Sequence, residues 1–445
     1  MNETSNDLIN ESNNYFECKY KNIFCSEINP NIEILRSESL FKILSDFIQI
    51  VTNRLGIEIF SIKKNYIRTL TNIFSSWLFV QYSRNDCDKD PIIPSGEINY
   101  DTLKITLIDM MKYDSKIDIA NRNLIADSII NELNLKNSCL EEINKIKNYV
   151  NSDIYKKNSA FKIIKILKIK KRKKELGDYE YYQFKLSSSY KSNNENVIKI
   201  MKNMKVSKEV YDKLNNKFNI YIKKFDMKYD IDLLIWCMLF RYITIGSHNH
   251  QLAVIPKVMN ILKNEYKLNI ELFASGINHY LGNYCSIFYD IEKYFGSFGS
   301  FFNITPVSGL FGFNPPYENY IMEKGVKKIL NHLDKSEQNG KKLGFIVTIP
   351  IWDKEGKTIM ENEFGSKPGK NMKIDYGDYN TIKMINESKY LKFKKMIPKY
   401  NFSYLDYFNM IYKDKTIQNT YVILLTNSFY NIDTKILSEI DFKNK

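Results

Sequence analysis

Asn314-Pro315-Pro316-Tyr317 is the stretch of this 445-residue chain whose residue types and spacing carry the most chemistry. Two consecutive prolines hold φ near about −65°, and the first pushes Asn314 out of the helical region. The result is a stiff, extended turn that fixes one amide, a run of backbone carbonyls and one aromatic ring relative to each other. The Asn314 amide oxygen and the Pro315 carbonyl can both accept hydrogen bonds from an exocyclic NH2 group, while the Tyr317 ring stacks on the planar base that bears it. Such an amine is a poor nucleophile because its lone pair is delocalised into the ring. Acceptors on its two N–H bonds favour pyramidal geometry and stabilise the developing positive charge, so the turn would bind a transition state rather than act as a base. Tyr317 would add orientation. A plain Pro-Pro loop with a buried tyrosine is the competing reading of these four residues, and the rest of the chain has to decide.

The net charge of +14 and a pI near 9.1 favour a polyanionic partner, most simply nucleic acid. Abundant Lys, Asn, Ile and Tyr, as an AT-rich genome imposes, account for part of the basicity. Arginine is scarce: Arg36, Arg54, Arg68, Arg84, Arg122, Arg172 and Arg241 all lie in the first part of the chain, so any bidentate grip on phosphate comes from there. The six cysteines form no C-x-x-C pair, and the chain shows neither a secretory signal nor an apolar run long enough to span a bilayer. These features predict an intracellular protein of nucleus or cytoplasm (a viral factory, if viral), with no membrane partner and no metal. His248-Asn249-His250 lacks a third ligand nearby.

The elements that must position the turn follow from periodicity. Residues 1–30 read as a disordered arm. Residues 31–200 read as an all-helical domain, with apolar positions recurring at three and four in Leu40–Ile48, Ile67–Leu78, Leu103–Met111 and Leu124–Leu133. Within it, the lysine-rich run 162–174 reads as a basic helix tracking RNA, a nuclear-import signal or a solvated helix end. The alternation of Tyr179–Ser187 predicts a strand. Residues 201–432 alternate short apolar strands (Ile270–Ala274, Gly344–Pro350, Thr420–Leu425) with helices, which predicts an α/β sheet of Rossmann type; 433–445 reads as a tail. Ala274–Asn278, Asn314–Tyr317 and Pro350–Trp352 then all fall at carboxyl ends of strands, where such sheets bind ligands. The low-complexity stretch 357–400 reads as a loop near that edge, an RNA-contacting lid.

Asn/Asp-Pro-Pro-Tyr/Phe is the signature of methyltransferases acting on amino nitrogens, and the blocks LLIWCMLFRY, HQLAVIPKV, ELFASGINHYLGNYCSIFYDIEKYFGSFGSFF, PVSGLFGFNPPYEN and FIVTIPIWDKE carry it further. In this order, over about 231–356, they closely resemble the cap-specific adenosine N6-methyltransferases, the family of the animal phosphorylated-CTD-interacting factor, also called CAPAM. The resemblance implies a helical domain on a Rossmann methyltransferase domain. It implies S-adenosylmethionine as cofactor and capped mRNA as substrate, methylated on N6 of the first transcribed, typically 2′-O-methylated, adenosine next to the 7-methylguanosine cap. The three tryptophans are wrongly placed for a WW domain, so no WW-mediated polymerase contact is expected. Tyr317 replaces the family's Phe and keeps the stacking face.

On that resemblance, Asn314, Pro315, Pro316 and Tyr317 form the catalytic turn. Phe273, Ala274, Ser275, Asn278, Phe295, Gly296 and Ser297, with Asn314 as floor, would hold the methyl donor. A cationic purine calls for an aromatic face and an acidic acceptor, which Trp352, Asp353 and Glu355 offer. Glu318 and Asn319 could touch the nucleotide, and Arg36 and Arg68 are the candidates for the triphosphate. Two other readings stay open: an N6-adenine methyltransferase on internal RNA or DNA, and a catalytically silent capped-RNA-binding protein.

Overall fold

A computed structural model describes residues 16–18, 27–56, 64–83, 90–111, 118–171, 178–225, 229–247, 251–351, 380–413 and 419–443. The part expected to be a disordered arm contributes β1 (Phe16–Cys18), which pairs antiparallel with β8 (Ile304–Pro306). The helical region opens with α1 (Pro30–Arg54), whose start is set by Asn29: its side chain accepts from Asn31 N at 2.9 Å, and Pro30 occupies the first helical turn. α2 (Lys64–Tyr82), α3 (Asp101–Met111), α4 (Ile119–Leu133), α5 (Leu135–Val150) and α6 (Asp153–Asn158) follow. Their apolar stripes, Phe47, Phe74 and Trp77 among them, close on a shared core.

The segment 161–170, read as helical from its lysine spacing, is instead strand β2 (Phe161–Lys170). It pairs over its whole length with β3 (Tyr179–Ser188). Lysines three apart suit a helix, but the four isoleucines favour the extended form, and a ten-residue tyrosine-rich partner settles it. The region to residue 200 is therefore not helical throughout. After α7 (Glu195–Lys202), β4 (Lys205–Ser207) completes a three-stranded sheet, β2-β3-β4.

α8 (Lys208–Tyr221) and the apolar α9 (Ile231–Thr244) lead to β5 (Leu252–Val254), α10 (Pro256–Tyr266), β6 (Leu268–Glu271), β7 (Asn283–Tyr284), α11 (Tyr289–Glu292), β9 (Gly309–Phe313), α12 (Asn319–Gln338) and β10 (Leu343–Pro350). α13 (Asn380–Asn386), β11 (Leu391–Ile397), β12 (Tyr404–Asp406), β13 (Ile411–Lys413), β14 (Thr420–Thr426) and α14 (Lys435–Glu439) finish the chain. The main sheet is mixed and six-stranded, in the order β11-β14-β10-β9-β6-β7. β7, β6, β9 and β10 are parallel, and β14 runs antiparallel between β10 and β11. Part of the expected 357–400 loop is thus β11, an edge strand; residues 357–379 lie outside the described residues. The expected tail carries α14, with Leu437 buried and Phe442 stacked on Phe402.

Alternation along β10 shows how the sheet is buried. Phe345, Val347 and Ile349 belong to the core shared with α12 and the N-terminal helices, whereas Ile346 belongs to a second core with α10. A strand buried on both faces reads as one apolar run, as Leu343–Pro350 does. Because β7 lies on one side of β6 and β9 on the other, the chain reverses its winding between β6 and β9, and ligands in open α/β sheets bind at such a point.

Candidate active site

The Asn314–Tyr317 turn begins where β9 ends, at that reversal. Gly312 lies opposite Glu271 of β6, and Leu272 N donates to the Gly312 carbonyl at 2.8 Å, so the ends of β6 and β9 are side by side. Phe313 anchors the turn: it is fully buried, edge-on to Phe273 at 5.3 Å. Its ring lies so close to α12 that a Cβ on Gly325 would meet it at 2.5 Å, which is why the helix carries glycine there. Pro315 is buried, and the Pro316 carbonyl accepts from Glu318 N at 2.7 Å as the chain turns into α12. The Tyr317 hydroxyl shares a hydrogen bond with that of Tyr404 on β12. Burial pushes the Tyr404 phenol up to about 12, so that phenol is neutral at ordinary pH. Among the described residues neither the Asn314 amide nor the Pro315 carbonyl has a hydrogen-bond partner, and Asn314 is half-exposed. The two acceptors are available.

A cleft of about 480 Å³, counted together with the solvent at its open mouth, lies beside them. Glu271, Phe273, Ala274 and Asn278 line it from the β6 end, Phe313 and Asn314 from β9, and Ile346 and Thr348 from β10. Four of the predicted donor-binding residues, Phe273, Ala274, Asn278 and Asn314, therefore share one cleft. Ser275 is buried behind it, donating to Gln251 Oε1 at 2.6 Å, and its backbone N–H donates to Asn278 Oδ1 at 2.7 Å. That bond occupies the Asn278 oxygen and leaves its NH2 group for the cleft. Phe295, Gly296 and Ser297 are not brought to the lining. Phe295 is a core residue, Gly296 takes φ 94° against the Tyr221 ring, and Ser297 bridges to Tyr284 at the outer edge of β7.

The loop from β6 to β7 is held by charged groups that sequence reasoning missed. Glu271 accepts from Tyr280 N at 2.7 Å and Leu281 N at 2.6 Å, and desolvation raises it to about 7. Glu292, fully buried, accepts from Gly276 N and from the Tyr242 hydroxyl, both at 2.6 Å; burial again raises it to about 7. Lys213 of α8 donates to the carbonyls of Ile277 at 3.1 Å and His279 at 2.8 Å, and Lys217 to Gly282 at 2.8 Å. Desolvation brings Lys213 down to about 7. An acid at a strand end and lysines inside an amphipathic helix were the available signals for these.

Glu318 accepts from the Ser76 hydroxyl of α2 at 2.6 Å, and desolvation raises its carboxyl to about 7. The Asn319 side-chain oxygen is buried without a partner among the described residues. Lys324 of α12 donates to the Ser83 carbonyl just past α2, so the two helices run in the same direction. Arg68, exposed on α2 and eight residues before Ser76, therefore sits about 12 Å further along the axis, beyond the start of α12 on the side of the turn. Arg36 is corrected. It is 3% exposed and bound to Glu33 at 2.7 Å and Asp90 at 2.8 Å, beside Arg241, which bridges Glu33 and Asp290. It is a structural cation with no face for substrate. Trp352, Asp353, Glu355, His248 and His250 lie outside the described residues. Among the described residues no helix is long and apolar enough to cross a membrane.

Residues 208–375 match a family model described as the WW domain of phosphorylated CTD interacting factor 1. That match overturns the expectation of a chain without a WW domain, and with it the expectation that no WW-mediated polymerase contact is evident. Tryptophan placement was the wrong criterion: the matched segment is no small separate module but runs from α8 through β10, across the cleft. The chain is also similar to the mouse protein named mRNA (2′-O-methyladenosine-N(6)-)-methyltransferase, 35% identical over 125 residues, and to the human protein of that name, 35% over 124 residues. Each alignment covers 26% of this chain and 17% of the relative, so the aligned part is a small share of either protein.

Proposed function

We propose that this chain is an S-adenosylmethionine-dependent methyltransferase that modifies N6 of the first transcribed, 2′-O-methylated adenosine next to the 7-methylguanosine cap of mRNA. The observation that carries the reading is the Asn314–Tyr317 turn at the reversal of the main sheet, its acceptors unspent and opening beside the Phe273–Asn278 loop. Relatives that align with a 125-residue stretch of this chain bear the name of that activity. The mixed sheet, with β14 antiparallel between β10 and β11, supports a Rossmann-type methyltransferase domain behind a helical N-terminal region.

The cleft fits the methyl donor in kind: apolar Phe273 and Ala274 beside the Glu271 carboxylate and the Asn278 NH2 group, with Asn314 at the boundary. S-adenosylmethionine, when bound, supplies an electrophilic methyl group. The chain's own residues do the rest. Asn314 Oδ1 and the Pro315 carbonyl take the two N–H bonds of the adenine amine, concentrating its lone pair on nitrogen and stabilising the charge that develops there. Tyr317, pinned through its hydroxyl to Tyr404, fixes the base plane. No side-chain base is required, since the proton leaves to water after transfer. Arg68, exposed on α2 beyond the head of α12, is the candidate for the triphosphate bridge, and Trp352 with Asp353 and Glu355 are the cap candidates.

The test is methyl transfer to short RNAs starting in adenosine and differing only at the 5′ end: a 7-methylguanosine cap, an unmethylated guanosine cap or a bare triphosphate. N6-methylation of the first alone is expected. Equal methylation of all three would replace this reading with an adenine methyltransferase indifferent to the cap. Tight binding of capped RNA without any methylation would leave a binding protein.

A further inference from the structure

The β2-β3-β4 sheet has a second face that the catalytic reading does not use. Lys162, Lys168, Lys170, Lys185, Tyr179 and Tyr181 alternate onto one side, with Lys168 opposite Tyr181 and Lys170 opposite Tyr179, and Lys205 of β4 joins them opposite Gln183. The four lysines of β2 and β3 are exposed, and the two tyrosine rings lie 5.7 Å apart, tilted by 38°. No carboxylate occupies a position on this side. The other side is the packed one: Phe184 is fully buried, Tyr182 lies 4.7 Å from Tyr211 of α8, and Lys165 is paired with Asp232 at 3.1 Å.

We infer that the lysine face is a second binding surface, for the single-stranded RNA that continues beyond the nucleotide held at Asn314. The inference rests on the proposed RNA substrate and adds where the body of that RNA is held. Cations tracking a backbone, interleaved with aromatic rings on which bases stack, are the chemistry of sequence-tolerant single-strand binding. A lipid surface would need apolar groups beside the lysines. Of the exposed apolar residues of β2, Leu167 and Ile169 point to the opposite side and only Ile164 shares the lysine face. Tyr211 faces this sheet, while Lys213, two residues further round α8, reaches the β6–β7 loop. The platform and the cleft are thus separated by α8, about 10 Å across, and by the sheet itself, and the platform faces away. A strand of several nucleotides reaches it; a capped dinucleotide does not.

The experiment uses the full chain and the variant Lys168→Ala/Lys170→Ala/Lys185→Ala, whose exposed substitutions leave the packed face intact. Anisotropy with a capped RNA of about 20 nucleotides is expected to show at least tenfold weaker binding. The slope of log K against log salt should fall by about 2, at roughly 0.7 per lost phosphate contact. Tyr179→Ala/Tyr181→Ala should weaken binding about five- to tenfold with the salt slope unchanged. Methyl transfer to a capped dinucleotide should be unaltered in both. Unchanged affinity and slope in the triple variant overturn the inference, as does intact RNA binding with lost binding to phosphatidylserine vesicles. If wild type loses affinity with these substitutions yet methylates no RNA, the catalytic reading fails and the platform stands. If it methylates and the variants match it, the platform fails alone.

Discussion

Ser76 on α2 and Glu318 at the head of α12, 242 residues apart in the chain, share a 2.6 Å hydrogen bond. It ties the N-terminal helices to the catalytic turn four residues after Asn314, so the helical region helps set where the turn sits. Burial raises Glu318 to about 7 from an ordinary value near 4.5, so the folded state holds a proton that the unfolded chain releases first. Its contribution to stability is full below about pH 4.5, declines up to about 7 and is level above. Glu318→Gln keeps an acceptor for Ser76 and removes the titration. The melting temperature of the variant relative to wild type is expected to rise between pH 4.5 and 8. Taking that difference cancels Glu271 and Glu292, which titrate in the same window. A constant difference would show that Glu318 does not titrate in the fold.

Asn314 has no structural partner among the described residues, so Asn314→Ala should leave the melting temperature nearly unchanged. It should lower kcat by about 10² to 10³, the usual cost of one preorganised transition-state hydrogen bond. Asn314→Asp keeps an acceptor and should retain more activity than alanine. A large fall in melting temperature for Asn314→Ala would mean the amide holds the turn rather than the base.

Tyr317→Phe removes the bond to Tyr404 and keeps the stacking face. About 0.5–1.5 kcal/mol of stability should be lost, with kcat within severalfold of wild type. Tyr317→Ala should remove nearly all turnover. Steady-state kinetics beside a urea titration separates the two effects.

How far the sequence carried depends on whether the signal was local. Pro315 and Pro316 constrain their own backbone, so the turn was legible from five residues, and the largely apolar run Leu343–Pro350 announced a strand. Helices 40–48, 67–78 and 103–111 followed from their stripes. Strand β2 did not, because lysines at 162, 165 and 168 fit a helix until β3 is there to pair with them. Arg36 misled for the same reason: scarcity made it conspicuous, but Asp90, which with Glu33 consumes its charge, meets it only in the fold. Lys213 and Glu271 escaped notice because their importance lies in the backbone groups they hold.

Lys213 acts on the cleft through the loop that carries Asn278, which makes it a positioning residue. Lys213→Met should weaken S-adenosylmethionine binding by about five- to fiftyfold by calorimetry, as one or two buried hydrogen bonds are lost, with kcat at saturating donor changed far less. Lys213→Arg should restore most of the affinity. Equal losses in kcat and donor affinity would indicate a general defect of folding instead.

Arg36 and Arg68 invite the sharpest contrast, since both are arginines of the same helical region. Arg36 is enclosed with Glu33, Asp90 and Arg241. Its removal leaves buried carboxylates short of a cation, and Arg36→Ala should cost about 3–5 kcal/mol of stability. RNA affinity of the fraction that remains folded should be normal. Arg68 stands in solvent beyond the head of α12, so Arg68→Ala should leave denaturant midpoints unchanged and raise KM for capped RNA by about tenfold, with a shallower salt dependence. Exchanged outcomes, a stable Arg36→Ala that fails to bind and an unstable Arg68→Ala that binds normally, would return the phosphate grip to Arg36.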